Sequence, residues 1–131
     1  MPPVAWPTFG VAFPHAFASA KDPAKCLRSS PQADQVVLAL AVAGIDRLAR
    51  PDAPLFVAIS LSANDYVGHL FGPVSRESFD QLLRLDAALA TFFAELDRRF
   101  GRDGWSAVLT SDHGVTRRFA HRLVHAELAA R

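Results

Sequence analysis

Apolar positions along the chain change their period from block to block, and each change predicts an element. Between Pro31 and Leu48 the residues Val36, Val37, Leu38, Leu40, Ala41, Val42, Ala43, Ile45 and Leu48 are apolar. They cover nearly all sides of a helical wheel, which predicts a well-buried helix. Ser30 before Pro31 suits an N-cap followed by proline at the first helical position. Arg47 and Arg50 suit the C-terminal end, and Pro51 and Pro54 stop it. The run Leu55-Phe56-Val57-Ala58-Ile59-Ser60-Leu61 is short, nearly continuously apolar and flanked by turn signals. It predicts a strand buried on both faces, as in a parallel sheet. Ser62 to Pro73 reads as a loop rich in polar residues and glycine. From Ser75 to about Phe100 the residues Leu82, Leu85, Leu89, Phe92, Phe93, Leu96 and Phe100 line one side of a long helix that Gly101 is placed to end. Asp103-Gly104 predicts a turn, and Trp105 to Thr110 a second apolar strand ending at Ser111-Asp112-His113-Gly114.

Strand, helix and strand in this order form a βαβ unit over residues 55–114, with parallel strands and a right-handed crossover. Residues 1–31 carry Pro2, Pro3, Pro7, Pro14, Pro23 and Pro31 and read as irregular. Val115 to Arg131 has Phe119, Leu123, Val124 and Leu128 at loose helical spacing. The expected fold class is α/β, a mostly parallel sheet flanked by helices, in one domain covering residues 1–131. A partial sheet leaves a strand edge and an apolar face uncovered, which predicts self-association.

Composition adds limits. The chain has 131 residues, half of them hydrophobic, so it can build a core and falls in the range of a single domain. A net charge of +1 carries no nucleic-acid-binding signal, and the arginine pairs Arg98-Arg99 and Arg117-Arg118 read as solvated faces. The single Cys26 excludes an internal disulfide and a thiolate metal cluster. No apolar run has the length of a membrane span. Ala18-Ser19-Ala20 imitates a signal-cleavage site, but prolines and His15 interrupt the apolar stretch before it and no basic residue follows Met1.

Candidate chemistry gathers at the two strand ends. In a βαβ unit both C-terminal ends lie on one sheet edge, where open α/β sheets place their ligands. Asp65 and His69 follow the first strand; Asp112 and His113 follow the second. Adjacent parallel strands lie about 4.8 Å apart, or about 10 Å with one strand between. Metals in two-metal hydrolytic sites sit about 3.5–4 Å apart, so ligands from either arrangement can reach one cluster. Asp65 and His69 share a side if their loop makes a helical turn. Asp112 and His113 converge only if the chain turns, and Gly114 allows that. Carboxylate oxygen and imidazole nitrogen are the usual non-thiolate zinc ligands. Taken one by one, each of these residues also fits a loop, Asx-turn or cap role. Ser60 and Ser62 lie near His69 and Asp65, but no Gly-x-Ser-x-Gly elbow supports a nucleophilic triad. No glycine-rich phosphate loop is present.

The segment Ser62-Ala63-Asn64-Asp65-Tyr66-Val67-Gly68-His69-Leu70-Phe71-Gly72-Pro73 resembles the D-x-x-G-H-x-x-G-P segment of the alkaline phosphatase superfamily. Within it, the similarity is to the type I phosphodiesterase/nucleotide pyrophosphatase branch and its phosphate-irrepressible alkaline phosphatases. Thr110-Ser111-Asp112-His113-Gly114 resembles that branch's second metal motif. Leu83-Arg84-Leu85-Asp86 and Phe13-Pro14-His15 add weaker similarity, so the resemblance covers roughly residues 12–115.

The resemblance implies a zinc-dependent phosphoric-ester hydrolase with two zinc ions and a phosphate ester substrate. Asp65 and His69 would bind one zinc, and Asp112 and His113 the other. A threonine or serine hydroxyl would attack phosphorus and give a covalent phospho-enzyme that water then hydrolyses. The nucleophile and a further aspartate would lie upstream of Met1, so a truncated chain lacking its nucleophile is expected. His121 and His125 come too early for the family's distant histidine. Asp86 is expected to hydrogen-bond near the ligand loop. Two other readings stay open: a non-catalytic metal-binding or interaction module derived from this core, and a sulfatase or phosphomutase relative.

Overall fold

The structure, a computed structural model, describes residues 22–115. These form four helices: α1 Pro23–Arg28, α2 Pro31–Leu48, α3 Ala63–Phe71 and α4 Arg76–Phe100. The two long helices begin and end where the residue pattern places them. Pro31 stands at the start of α2, and its N-cap is Ser30. Ser75 caps α4 through its side chain, which accepts from the Ser78 N–H at 3.1 Å. Gly101, with φ of +74°, follows the last turn of α4 and takes the backbone angle that L side chains rarely adopt.

The core forms between α2 and α4. Leu38 and Ile45 of α2 meet Phe92 and Leu96 of α4, and all four are buried. Ala41, Val42, Ala88, Leu89 and Phe93 extend this contact. α2 is less enclosed than its apolar sequence predicts: Val36, Leu40 and Leu48 are exposed, because α4 and its neighbours cover one stripe of the helix and leave the rest bare. Arg99, expected on a solvated face, instead bridges the two helices. Its guanidinium donates to both oxygens of Asp46 on α2, at 2.6 and 2.9 Å, and to Glu95 on its own helix.

Among the described residues the expected parallel sheet is absent. No strand is present among them, and the one β-bridge, Arg50 with Ala53, closes a tight antiparallel turn. The two segments expected to be strands, 55–61 and 105–110, run without ladder partners. A strand exists only through pairing, and two short segments that do not pair with each other cannot make a sheet. Residues 55–61 still alternate in burial. Ile59 and Leu61 pack on the α2–α4 core, whereas Phe56 is 91 % exposed. The segment therefore lies with one face on the helices and the other bare, not buried on both. Trp105 anchors the second segment: its ring stacks on Phe93 at 5.3 Å and its Nε1 donates to Asp97 at 3.0 Å. Beyond it Val108 and Leu109 are exposed.

Two other expectations change. Residues 23–28, read as irregular, form α1, whose Lys25 N–H is capped by the Asp22 carboxylate. Residues 63–71, read as loop, form α3. Residues 1–21 and 116–131, with His121, His125 and the helix expected after Val115, lie outside the described residues. Among the described residues no helix is long and apolar enough to cross a membrane.

The Arg99 bridge sets an acid dependence. Hydrogen bonds from Arg99 hold Asp46 below the usual carboxylate range, and those from Arg98 and Arg99 do the same for Glu95. Both groups bind protons more weakly folded than unfolded. Their contribution to stability is therefore full above the ordinary carboxylate pKa and is lost as pH falls through the depressed folded values. In urea unfolding followed from about pH 6 to about pH 3, Asp46→Asn is expected to flatten the acid limb relative to the parent chain.

Candidate metal centre

Asp65 and His69 owe their shared direction to α3. The helix places them one turn apart, and the Asp65 Oδ1 lies 3.3 Å from the His69 Nε2. Each also suits the helix end it occupies. Asp65 is in the first turn and His69 in the last, where an acid and an imidazole respectively complement the helix dipole.

The start of α3 is held in an unusual way. Its own N-cap residue, Ser62, makes no side-chain capping bond, and its hydroxyl pairs instead with that of Ser60 at 3.0 Å. The Ala63 N–H donates to the Asp34 carboxylate of α2 at 3.2 Å. The far end of α3 stops at Gly72, whose φ of +96° with ψ of 153° is open only to glycine. Its carbonyl accepts the Ser78 hydroxyl of α4 at 2.7 Å.

Asp112 and His113 converge because the chain bends there. The His113 N–H donates to the Asp112 Oδ1 at 3.0 Å, and the Ser111 hydroxyl donates to the His113 carbonyl. The His113 Nδ1 donates to the Gly114 carbonyl at 3.1 Å, since a carbonyl can only accept. That leaves Nε2 as the free donor atom for a metal, the tautomer in which ligating histidines are usually held. The hydrogen bond to Gly114, together with the Asp112 and Asp65 carboxylates, pushes the His113 pKa above its ordinary value.

The two pairs meet. The His113 Nε2 is 3.6 Å from the Asp65 Oδ1 and 3.8 Å from the Asp112 Oδ2, so one carboxylate oxygen of α3 faces imidazoles from both motifs. All four side chains are at least partly open to solvent, Asp112 most of all. The donor types are those zinc takes. Their disposition is incomplete: among the described residues no group of three or more such side chains is arranged around one point that could hold a metal ion. Asp65 and the histidines face one another rather than a common centre. Asp86, expected near the ligand loop, is exposed on α4.

A family model described as "Type I phosphodiesterase / nucleotide pyrophosphatase" matches residues 4–131. The chain belongs to this family. The chain is also similar to individual alkaline phosphatases. It is 42 % identical over 108 residues to the alkaline phosphatase PhoV of Synechococcus elongatus, covering 80 % of this chain and 20 % of the relative. It is 44 % identical over 94 residues to the alkaline phosphatase PhoK of a Sphingomonas species, covering 69 % and 16 %. It is 40 % identical over 91 residues to the alkaline phosphatase PafA of Elizabethkingia meningoseptica, covering 68 % and 17 %. The chain thus spans about a fifth of the length of these curated relatives, or less. No solved structure matches it.

Two buried polar residues beside α3 were not visible as such in the sequence. Asp34 and Gln81 are buried polar groups within helices. Their signal was a carboxylate on a helix otherwise apolar on nearly every side, and an amide one turn after Ser78. Gly72 has a glycine-restricted backbone: Gly72→Ala meets no crowding but is strained. It is expected to cost about 1–3 kcal/mol in chemical denaturation.

Proposed function

We propose that this chain supplies part of a two-metal site for phosphoric-ester hydrolysis. Asp65 and His69 are donors to one zinc, and Asp112 and His113 to the other. The observation that carries the reading is the meeting of the two motifs at the Asp65 carboxylate, from segments more than forty residues apart. The class of reaction is supported by the family and by the alkaline phosphatases the chain is similar to.

When bound, zinc supplies Lewis-acid stabilisation of charge on phosphoryl and leaving oxygens. The chain's own residues present the donors. α3 holds Asp65 and His69 on one side, and the bend at residues 111–114 sets the His113 tautomer through Gly114. Two aspartates return two negative charges against the four positive charges of two zinc ions. The site therefore keeps a positive field that favours a phosphate dianion. The site is open, which leaves room for a phosphate ester to approach.

Two donors per metal fall short of the three or four that stable zinc sites use. The chain alone is expected to bind zinc weakly and to turn over p-nitrophenyl phosphate and its diester analogue negligibly with added zinc. Asp65→Ala should weaken the zinc binding seen by equilibrium dialysis. Robust turnover abolished by Asp112→Ala would overturn the inactivity. One tight zinc without hydrolysis would favour a non-catalytic metal-binding module instead.

Self-association, first expected from a sheet edge, now rests on the bare apolar side chains Phe56, Val108 and Leu109. Sedimentation velocity is expected to show species larger than a monomer, and a single monomeric boundary at all concentrations would refute this.

A further inference from the structure

The interface that carries α3 buries Ala63 and Val67 of that helix beside three polar side chains of α2 and α4. Gln81 is fully buried, Asp34 is 2 % exposed and Ser78 is 4 % exposed. Asp34 reaches from α2 to accept the Ala63 N–H at 3.2 Å and the Gln81 Nε2 at 2.9 Å. Ser78, one turn earlier than Gln81 on the same face of α4, donates to the Gly72 carbonyl at 2.7 Å. One face of α4 therefore secures both ends of α3, directly at Gly72 and through Asp34 at Ala63. Stability alone is a poor reason for this arrangement. Burying a carboxylate is costly, and apolar residues of the same shape often serve a fold as well or better. Among the described residues the Gln81 Oε1 is itself buried without a hydrogen-bond partner, a further cost that a purely structural contact would shed.

A hydrogen-bonded clamp does what apolar packing does not: it fixes the axial and rotational register of a short helix. Apolar ridges allow α3 to slide or turn by small amounts, whereas a carboxylate oxygen accepts the Ala63 N–H only at one position. Asp65 and His69 are two and six residues beyond that amide, so any shift of α3 moves both donors together. We infer that Asp34 and Gln81 are positioning residues, a clamp from α2 and α4 that sets the register of α3 and so the aim of Asp65 and His69. This inference rests on the reading of Asp65 and His69 as metal donors, but the clamp can be measured without any metal.

The test pairs amide hydrogen exchange with zinc binding by equilibrium dialysis, on the full chain. Asp34→Ala leaves the Ala63 N–H and the Gln81 amide unsatisfied. It is expected to speed exchange across residues 63–71 by roughly tenfold to hundredfold, relative to residues 31–48 and 76–100. It should also weaken zinc binding by about tenfold. Asp34→Asn is the discriminating variant. Its Oδ1 still accepts from Ala63, and with the Gln81 amide rotated its Nδ2 donates to the otherwise unpaired Oε1. It is expected to restore both readouts. If Asp34→Ala does not fold, Gln81→Met removes the Nε2 donor while keeping the volume, and should loosen α3 to a smaller degree. Ile45→Ala, in the core away from α3, is the control. It should lower stability without loosening α3 selectively or weakening zinc binding by folded protein.

Equal loosening of all helices in Asp34→Ala, failure of Asp34→Asn to restore α3, or unchanged α3 exchange in both Asp34→Ala and Gln81→Met would overturn the clamp. α3 loosening with unchanged zinc affinity would overturn its role in aiming the donors. Absence of zinc binding by the parent chain would instead sink the metal reading, while the exchange data would still decide the clamp.

Discussion

The buried carboxylate of Asp34 is the interaction on which the arrangement of this chain turns. A carboxylate taken out of water must be hydrogen-bonded or it becomes a large cost. Asp34 finds one donor in the backbone of Ala63 and a second in the side chain of Gln81. Those donors belong to different helices, so satisfying one charge ties α2, α3 and α4 together. Burial pushes the Asp34 pKa up, and the two hydrogen bonds oppose that shift without cancelling it. The Ala63 N–H would otherwise be an orphan of the helix start, since the first amides of a helix have no intrahelical acceptor. A residue 29 positions upstream thus performs the capping that the local sequence does not.

Around this polar junction the apolar contacts are one-sided. Leu38, Ile45, Phe92 and Leu96 form the seam between α2 and α4, and Ile59, Leu61 and Trp105 add the inner faces of the two extended segments. The outer faces of those segments stay bare. The helices cover one layer's worth of apolar surface, and a layered α/β core needs a sheet to present a second.

Carboxylates and imidazoles from the two motifs face one another across the open end of α3. Asp65 faces two imidazoles, and the His113 Nδ1 is occupied by the Gly114 carbonyl, which leaves its Nε2 available. Membership of the type I phosphodiesterase / nucleotide pyrophosphatase family gives this geometry a chemical context, and alkaline phosphatases share long stretches of the sequence. Similarity covers most of this chain but only about a fifth of those relatives' length.

Local chemistry determined what was legible in the sequence. The bounds of α2 and α4 follow from Ser30-Pro31, Ser75 and Gly101, because caps and breakers act within a turn of their own residue. The pairing of Asp65 with His69 and of Asp112 with His113 was equally readable, since each pair lies within a few residues. Helix α3 was not, because its N-terminal cap comes from Asp34, outside any local window. The sheet was misjudged for the related reason that apolar runs show only the capacity for pairing. Whether residues 55–61 and 105–110 become strands depends on partners that no local pattern contains. Tertiary structure alone decided that Arg99 joins two helices, that Gln81 is buried, and that His113 comes within reach of Asp65. Each of these joins residues more than thirty positions apart, and such contacts are selected by the packing of whole elements rather than by the residues beside them.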